Sequence, residues 1–126
     1  MKVIKAIPLE EVNGIKFGTG RDKVREKLGA YKEFKKTPFS ENSTDDFGYC
    51  HVYYDNENKF EAIEIFDAEV YIGDRKVFPV SVDDLSDIID DFDDELISIS
   101  KSIGIYAPDN EPESILFGCK GYYEFD

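Results

Sequence analysis

The segment at residues 83–96, DDLSDIIDDFDDEL, holds seven aspartates and one glutamate but no base. Clustered carboxylates can bind Ca²⁺, and Asp91, Asp93 and Glu95 have the one-three-five spacing of a calcium-binding loop. The glycine that such a loop needs at its sixth position is replaced by Leu96, and the twelfth position is Ser102 instead of glutamate. An EF-hand is therefore excluded, no metal site is predicted, and only weak divalent binding by the carboxylates stays open.

Residues that could act as nucleophiles or bases are few. His51 is the only histidine, so a mechanism with two histidines is excluded. Cys50 and Cys119 lie among apolar residues without a flanking cation, which predicts two reduced thiols of the core. Arg21 and Lys23 follow the glycines of FGTGR, a pattern that favours a glycine-rich helix entry over an anion site. The sequence therefore predicts no catalytic residue and no cofactor.

The charge of the chain is concentrated in its C-terminal third. The net charge is −13; residues 1–80 hold 15 acids and 13 bases, whereas residues 81–126 hold 13 acids and 2 bases. Such a field repels nucleic acids and anionic membranes and favours a basic protein as partner. The N-terminal residues lack an apolar run of signal-peptide length, and no apolar stretch is long enough to span a membrane. We therefore expect a soluble, cytoplasmic protein.

The elements that would position these residues follow from periodicity and turn chemistry. A short helix is predicted after Thr19, its expected N-cap, and should end at Gly29. The polar residues 32–48 are typical of a loop. Strand-like runs then flank residues 55–58 and the pair Gly73-Asp74, which predicts two hairpins.

A second helix is predicted to begin after Ser81, its expected N-cap. On a helical wheel the apolar side chains occupy one arc of about 120°, the width of a core-facing stripe. These side chains are Leu85, Ile88, Ile89, Phe92 and Leu96. The acids Asp83, Asp84, Asp87, Asp90, Asp91, Asp94 and Glu95 fall on the opposite side. After this helix, the alternating residues 97–107 and the segment 113–123 predict a third hairpin.

This order of elements predicts an α+β fold in a single domain, residues 1–126. Its length and its 41% hydrophobic content are sufficient for one core. We expect two α-β-β units, with pseudo-repeat halves at residues 15–66 and 78–123. Together they would form one antiparallel sheet of about four to six strands, with two helices packed on one face.

The stretch IKFGTGRDKVREKLG, residues 15–29, places glycines before a short helix that ends in Leu28-Gly29. It resembles the opening of the tandem α-β-β domains of β-lactamase inhibitor proteins and of small outer-membrane lipoproteins of the SmpA/OmlA type. Ala30 stands where those families often have a proline. The resemblance implies the tandem topology and a protein-binding scaffold, and it transfers no functional residue.

The acidic helix carries four acid pairs at i, i+4 spacing, which together cost about 1–2 kcal/mol before screening. Two explanations for this cost stay open. The bases of residues 21–36 could neutralise the acids, within the chain or across a homodimer. These bases are Arg21, Lys23, Arg25, Lys27, Lys32, Lys35 and Lys36. Alternatively, a basic protein binds the acids, with complementary charge giving fast and specific association.

We favour a non-enzymatic acidic module that binds a basic protein, acting as a monomer or homodimer. By size, acidity and absent chemistry it is similar to the class of bacterial immunity proteins that neutralise basic toxins. The predicted partner-binding residues are Asp83, Asp84, Asp87, Asp90, Asp91, Asp94, Glu95, Tyr122 and Tyr123, the two tyrosines being expected as exposed anchors. The alternatives are a small-ligand binder or unrecognised enzyme, with a pocket between sheet and helices lined by Tyr53, Tyr54 and His51, and a DNA mimic.

Overall fold

The computed structural model describes residues 2–35, 37–39, 42–85, 92–93 and 95–124. The strands in this part of the chain form two sheets, one of five and one of seven strands. The mixed α and β composition agrees with the sequence, but the prediction of one sheet with four to six strands is wrong. The strands are β1 (Val3–Ile7), β2 (Glu11–Val12), β3 (Ile15–Lys16), β4 (Lys32–Phe34), β5 (Thr44–Asp46), β6 (Cys50–Tyr54), β7 (Phe60–Ile65), β8 (Glu69–Ile72), β9 (Arg75–Phe78), β10 (Ile97–Ser98), β11 (Ile103–Tyr106) and β12 (Ser114–Gly118), and the α-helices are α1 (Arg21–Leu28) and α2 (Val82–Leu85).

The five-stranded sheet has the order β3-β2-β1-β8-β9. β1 and β8 are parallel, and the other neighbours are antiparallel. The β8–β9 hairpin turns at Gly73 and Asp74, as predicted, and the φ of 61° at Gly73 is one that glycine adopts readily. The parallel pair departs from the predicted antiparallel sheet, and it joins strands that lie far apart in the chain.

The seven-stranded sheet has the order β10-β11-β12-β7-β6-β5-β4, with every neighbouring pair antiparallel. The predicted β6–β7 hairpin is confirmed. Its turn closes with the Asn58 N–H donating to the Asp55 carbonyl at 3.0 Å, and the Asp55 carboxylate accepts the Glu57 N–H at 2.9 Å. Of the hairpin predicted between residues 97–107 and 113–123, the pairing of residues 103–106 with 114–117 is confirmed.

Two segments of this sheet differ from their predictions. Residues 32–48, predicted to be a loop, contribute β4 and β5. Residues 97–107, predicted to be one strand, instead form β10 and β11 with a turn between them. Ser102 in that turn has a φ of 53°, which breaks the extended backbone.

Helix α1 ends where the sequence predicts. Gly29 has a φ of 95°, and its N–H donates to the carbonyl of Arg25 at 2.9 Å. Its start differs from the prediction, because Gly20 is the N-cap. The hydroxyl of Thr19 donates to the Lys16 carbonyl at 2.6 Å and therefore does not cap the helix.

Helix α2 begins as predicted, with the Ser81 hydroxyl accepting the Asp84 N–H at 3.3 Å. The prediction that the helix continues to Leu96 is wrong at its end, since residues 92–93 and 95–96 are not helical. The carboxylate of Asp93 accepts the N–H groups of Glu95 at 2.9 Å and Ile97 at 3.0 Å. This local hydrogen bonding stabilises a turn that leads into β10.

Side chains from both sheets contribute to one hydrophobic cluster, which also includes Val24 of α1 and Leu85 of α2. Cys50 is buried and Cys119 half-buried, and both are free thiols, as predicted. None of the helices in the described residues is long and apolar enough to cross a membrane.

Candidate functional site

The seven-stranded sheet has one face toward the core and one away from it. In β6, Cys50, Val52 and Tyr54 are buried, whereas His51 and Tyr53 alternate with them and are half-buried. We call the second face the outer face. A row of paired positions crosses it through His51 of β6, Glu64 of β7, Leu116 of β12 and Gly104 of β11. The outer face therefore combines aromatic, acidic and very small residues.

Glu64 lies at the centre of the outer face and is held in place by two donors. The Tyr53 hydroxyl donates to one carboxylate oxygen at 2.9 Å, and the Ser114 hydroxyl donates to the other at 2.8 Å. Burial, together with the nearby charge of Glu64, raises the pKa of Tyr53 and keeps it a neutral donor. Each carboxylate oxygen keeps further acceptor capacity, so Glu64 can still accept from a bound cation.

Tyr122 and Tyr123 fold back over the outer face after β12. A Cβ atom at Gly118 would collide with the Tyr122 ring, and one at Gly104 would collide with the Tyr123 hydroxyl. The two rings contact each other edge to face at 5.2 Å between centroids. Both tyrosines are half-buried, not exposed as predicted, because glycines make room for them, and their role as anchors stays a prediction.

Burial controls the ionisation of this tyrosine pair. Desolvation, with a smaller contribution from Glu61, raises the pKa of Tyr122 to about 12. Desolvation, followed by the neighbouring Tyr122 and Glu64, raises the pKa of Tyr123 to about 12. Both rings therefore present neutral hydroxyls at physiological pH.

A cavity of about 160 Å³ on this face brings together two of the predicted partner-binding residues, Glu95 and Tyr123. We call it the outer-face cavity. Its lining residues are Glu64, Glu95, Ile97, Gly104, Ile105, Tyr106, Ser114, Leu116 and Tyr123. None of these described lining residues is basic. The outer-face cavity is therefore partly apolar and is bordered by two carboxylates and two tyrosines.

The remaining predicted residues lie elsewhere. Asp83 and Asp84 are exposed in the first turn of α2 and do not line the outer-face cavity. Asp87, Asp90, Asp91 and Asp94 lie outside the described residues. Tyr122 packs beside Tyr123 but is not part of the cavity wall.

An aromatic group extends the outer face toward β4. The His51 ring contacts Phe34 at 5.1 Å and Phe66 at 4.9 Å between centroids, in both cases edge to face. Its Nε2 lies 3.6 Å from an oxygen of Asp46. His51 is thus a side chain packed between two aromatic rings.

On the core-facing side of the same sheet, Asp45 organises a cluster of arginines. Its buried carboxylate accepts hydrogen bonds from Arg21 Nη2 at 2.8 Å and from Arg25 Nε at 2.7 Å and Nη2 at 2.8 Å. It also accepts the Tyr54 hydroxyl at 2.8 Å. The Arg25 Nη2 reaches Glu33 at 3.0 Å. Helix α1 is thereby fastened to β4 and β5.

The ionisation of Asp45 follows from these contacts. Burial by itself would raise its pKa, but the hydrogen bonds from Arg25, Arg21 and Tyr54 outweigh burial and hold the pKa below its usual value. Arg21 and Arg25 are therefore neutralised by Asp45 and Glu33. These three ion pairs do not involve the C-terminal acids, contrary to the hypothesis that these arginines of α1 neutralise the acidic helix.

A second cavity, of about 740 Å³, opens beside α1 and is lined by both Arg21 and Glu33. Three bases line it, Arg21, Lys23 and Arg25, together with three acids, Asp22, Glu26 and Glu33, so the lining lacks the net positive charge of an anion site. The predicted ligand pocket is not formed either. Tyr54 faces the core and bonds to Asp45, whereas Tyr53 and His51 lie on the opposite face of the sheet.

Sequence reasoning missed Glu64 and Asp45 as organising residues. Glu64 was visible as one acid of an alternating strand, but its partner Ser114 lies fifty residues away. The i, i+4 spacing of Arg21 and Arg25 puts both on one helix face and was the available signal for a shared acid. The chain matches no protein-family model, and comparison with curated proteins and with solved structures gives no significant match.

Proposed function

We propose that this chain is a non-enzymatic recognition module that binds a basic protein through its acidic C-terminal third. The class of protein with the same size, acidity and lack of catalytic chemistry is the bacterial immunity proteins, so a cationic toxin is the partner we favour. We further propose that the module acts in the cytoplasm and that its two helix-led halves are a tandem α-β-β arrangement.

One observation carries the proposal. Arg21 and Arg25 pair with Asp45 and Glu33, which leaves them engaged on the core-facing side of the sheet. Meanwhile Asp83 and Asp84 are exposed at the start of α2, and Glu95 is exposed in the turn before β10, where it lines the outer-face cavity. Since Arg21 and Arg25 do not neutralise this acidic surface, it is well suited to bind a cation from another protein.

The test is a binding measurement with basic proteins encoded next to the gene of this chain. Affinity should fall as salt is raised, because complementary surface charge is screened. The charge-reversed variant Asp83→Lys/Asp84→Lys should bind about tenfold more weakly, mainly through slower association. A matched control, Glu10→Lys/Asp74→Lys, changes the net charge equally at exposed positions far from α2 in the sequence.

The proposal fails if no basic protein binds. It also fails if binding is insensitive to salt, or if both double variants weaken binding to the same extent. In the last case net charge alone, and not the acidic C-terminal surface, would explain the association.

A further inference from the structure

The outer-face cavity has the chemistry of a receptor for one arginine side chain. We propose that it binds an arginine of the basic protein partner, with Glu64 and Glu95 pairing with the guanidinium and Tyr106 and Tyr123 contacting its plane. This inference rests on the proposed function, because it names the side chain that the acidic module recognises.

The chain already holds arginine with the same set of groups elsewhere. On the core-facing side, a carboxylate that accepts a tyrosine hydroxyl, Asp45 with Tyr54, binds Arg21 at 2.8 Å. The Arg21 guanidinium carbon also lies 4.3 Å from the centroid of the Tyr54 ring. On the outer face, Glu64 accepts the hydroxyl of Tyr53 in the same way, yet the described cavity lining contains no base. The outer face therefore repeats the hydrogen bond between an acid and a tyrosine, and the acid, Glu64, lines a cavity whose described lining has no base.

The walls of the cavity favour arginine over lysine. Tyr106 is 61% exposed, so its ring is accessible to a partner, and Tyr123 lines the same hollow. A planar guanidinium can stack on a tyrosine ring and use its remaining donors on two carboxylates at once, whereas an ammonium is a compact and strongly hydrated charge. Ile97 and Leu116 supply apolar surface for the methylene groups of the side chain.

The carboxylates of Glu64 and Glu95 are also preorganised for binding. Glu64 is fixed by Tyr53 and Ser114, so it loses little side-chain entropy when a cation arrives. Glu95 is placed by the turn in which the Asp93 carboxylate accepts its N–H at 2.9 Å. One acid comes from the centre of the sheet and the other from the end of the acidic segment, and both line the same cavity.

The experiment is a two-dimensional NMR titration of the ¹⁵N-labelled chain with N-acetyl-L-arginine amide as the probe. We expect saturable shifts at the backbone amides of Ile97, Gly104, Ser114 and Leu116, with a dissociation constant in the millimolar range typical of a single side chain. The variant Glu64→Gln/Glu95→Gln should weaken binding about tenfold, since it removes two charged hydrogen-bond acceptors. The control Glu111→Gln/Glu113→Gln removes the same charge from exposed residues outside the cavity and should change the affinity less than twofold.

Three results would overturn the inference: no saturable shift, shifts that do not centre on the cavity, or equal losses in the two double variants. Equal affinity for N-acetyl-L-lysine amide would overturn the assignment to arginine.

The failure of this inference is distinguishable from that of the proposed function. A basic protein that loses affinity with Asp83→Lys/Asp84→Lys but not with Glu64→Gln/Glu95→Gln refutes the cavity alone, whereas arginine binding in the cavity without any basic protein partner refutes the proposed function alone.

Discussion

The substitution Asp45→Asn tests the arginine cluster most directly. The Asp45 side chain is fully buried and accepts four hydrogen bonds, from Arg21, twice from Arg25, and from Tyr54. Asparagine has nearly the same shape but no charge, and its NH₂ group would face N–H or O–H groups that also need an acceptor. The substitution therefore leaves two guanidinium groups close together, one of them largely buried, without the anion that balances them.

The expected cost follows from that geometry. Removing one partner of a buried ion pair typically costs about 3–5 kcal/mol. The partial exposure of Arg25, 19% for its side chain, and its remaining bond to Glu33 place the expectation at the lower end of this range. Against a typical total stability of about 5–15 kcal/mol, such a loss is large and should lower the Tm by roughly 10–15 °C.

Urea unfolding followed by far-UV circular dichroism measures this free energy. The control Asp74→Asn makes the same chemical change at an exposed turn residue and should cost less than about 0.5 kcal/mol. A loss below about 1 kcal/mol for Asp45→Asn, with an unchanged urea slope, would refute the view that Asp45 is the anion on which α1 depends.

The pH dependence gives the same prediction an independent check. The pKa of Asp45 is lower in the folded chain than in the unfolded chain, so its contribution is present above the unfolded value of about 4 and is lost as pH falls through the folded value. Between about pH 5 and pH 2, the wild-type chain should therefore lose more stability than the Asp45→Asn variant, which has no such carboxylate. Parallel loss in both chains would mean that other carboxylates control acid unfolding.

Two further predictions concern the tyrosines of the outer face. Gly104→Ala and Gly118→Ala should each lower the free energy of unfolding by about 1–3 kcal/mol, because the new methyl group displaces Tyr123 or Tyr122, respectively. Quenching of tyrosine fluorescence by acrylamide should rise in both variants. Unchanged stability and quenching would contradict this packing. In an alkaline titration followed by absorbance, Tyr122 and Tyr123 should remain un-ionised at pH 11, because burial raises their pKa to about 12, and stability should fall as pH rises from about 10 through 12. Ionisation of all eight tyrosines near pH 10 in the folded chain would contradict it.

The parts of the fold that could be predicted are those set by local sequence. The β6–β7 and β8–β9 hairpins follow from turn residues between alternating strands, and both are confirmed. The end of α1 at Gly29 and the start of α2 at Ser81 follow from capping chemistry that involves only a few neighbouring residues. In each case the stabilising contact lies within one turn of the residue that predicts it.

The parts that could not be predicted depend on distant partners. β5 consists of Thr44, Asp45 and Asp46, and two consecutive aspartates normally indicate a loop. Asp45 is buried in a strand only because Arg21 and Arg25 arrive from α1 to neutralise it. The parallel pairing of β1 with β8 is equally invisible, since nothing local specifies a partner so far along the chain.

The same distinction applies to the candidate site. The acidity of residues 83–96 was evident from the sequence, but the sequence does not say which acids are occupied by local structure. Asp93 is such an acid, because it accepts the N–H groups of Glu95 and Ile97. Through its bond to the Glu95 N–H, Asp93 holds Glu95 in a turn beside the outer-face cavity, which Glu64 also lines. Recognition would then depend on two acids that are far apart in sequence, with Asp93 as the residue that positions one of them.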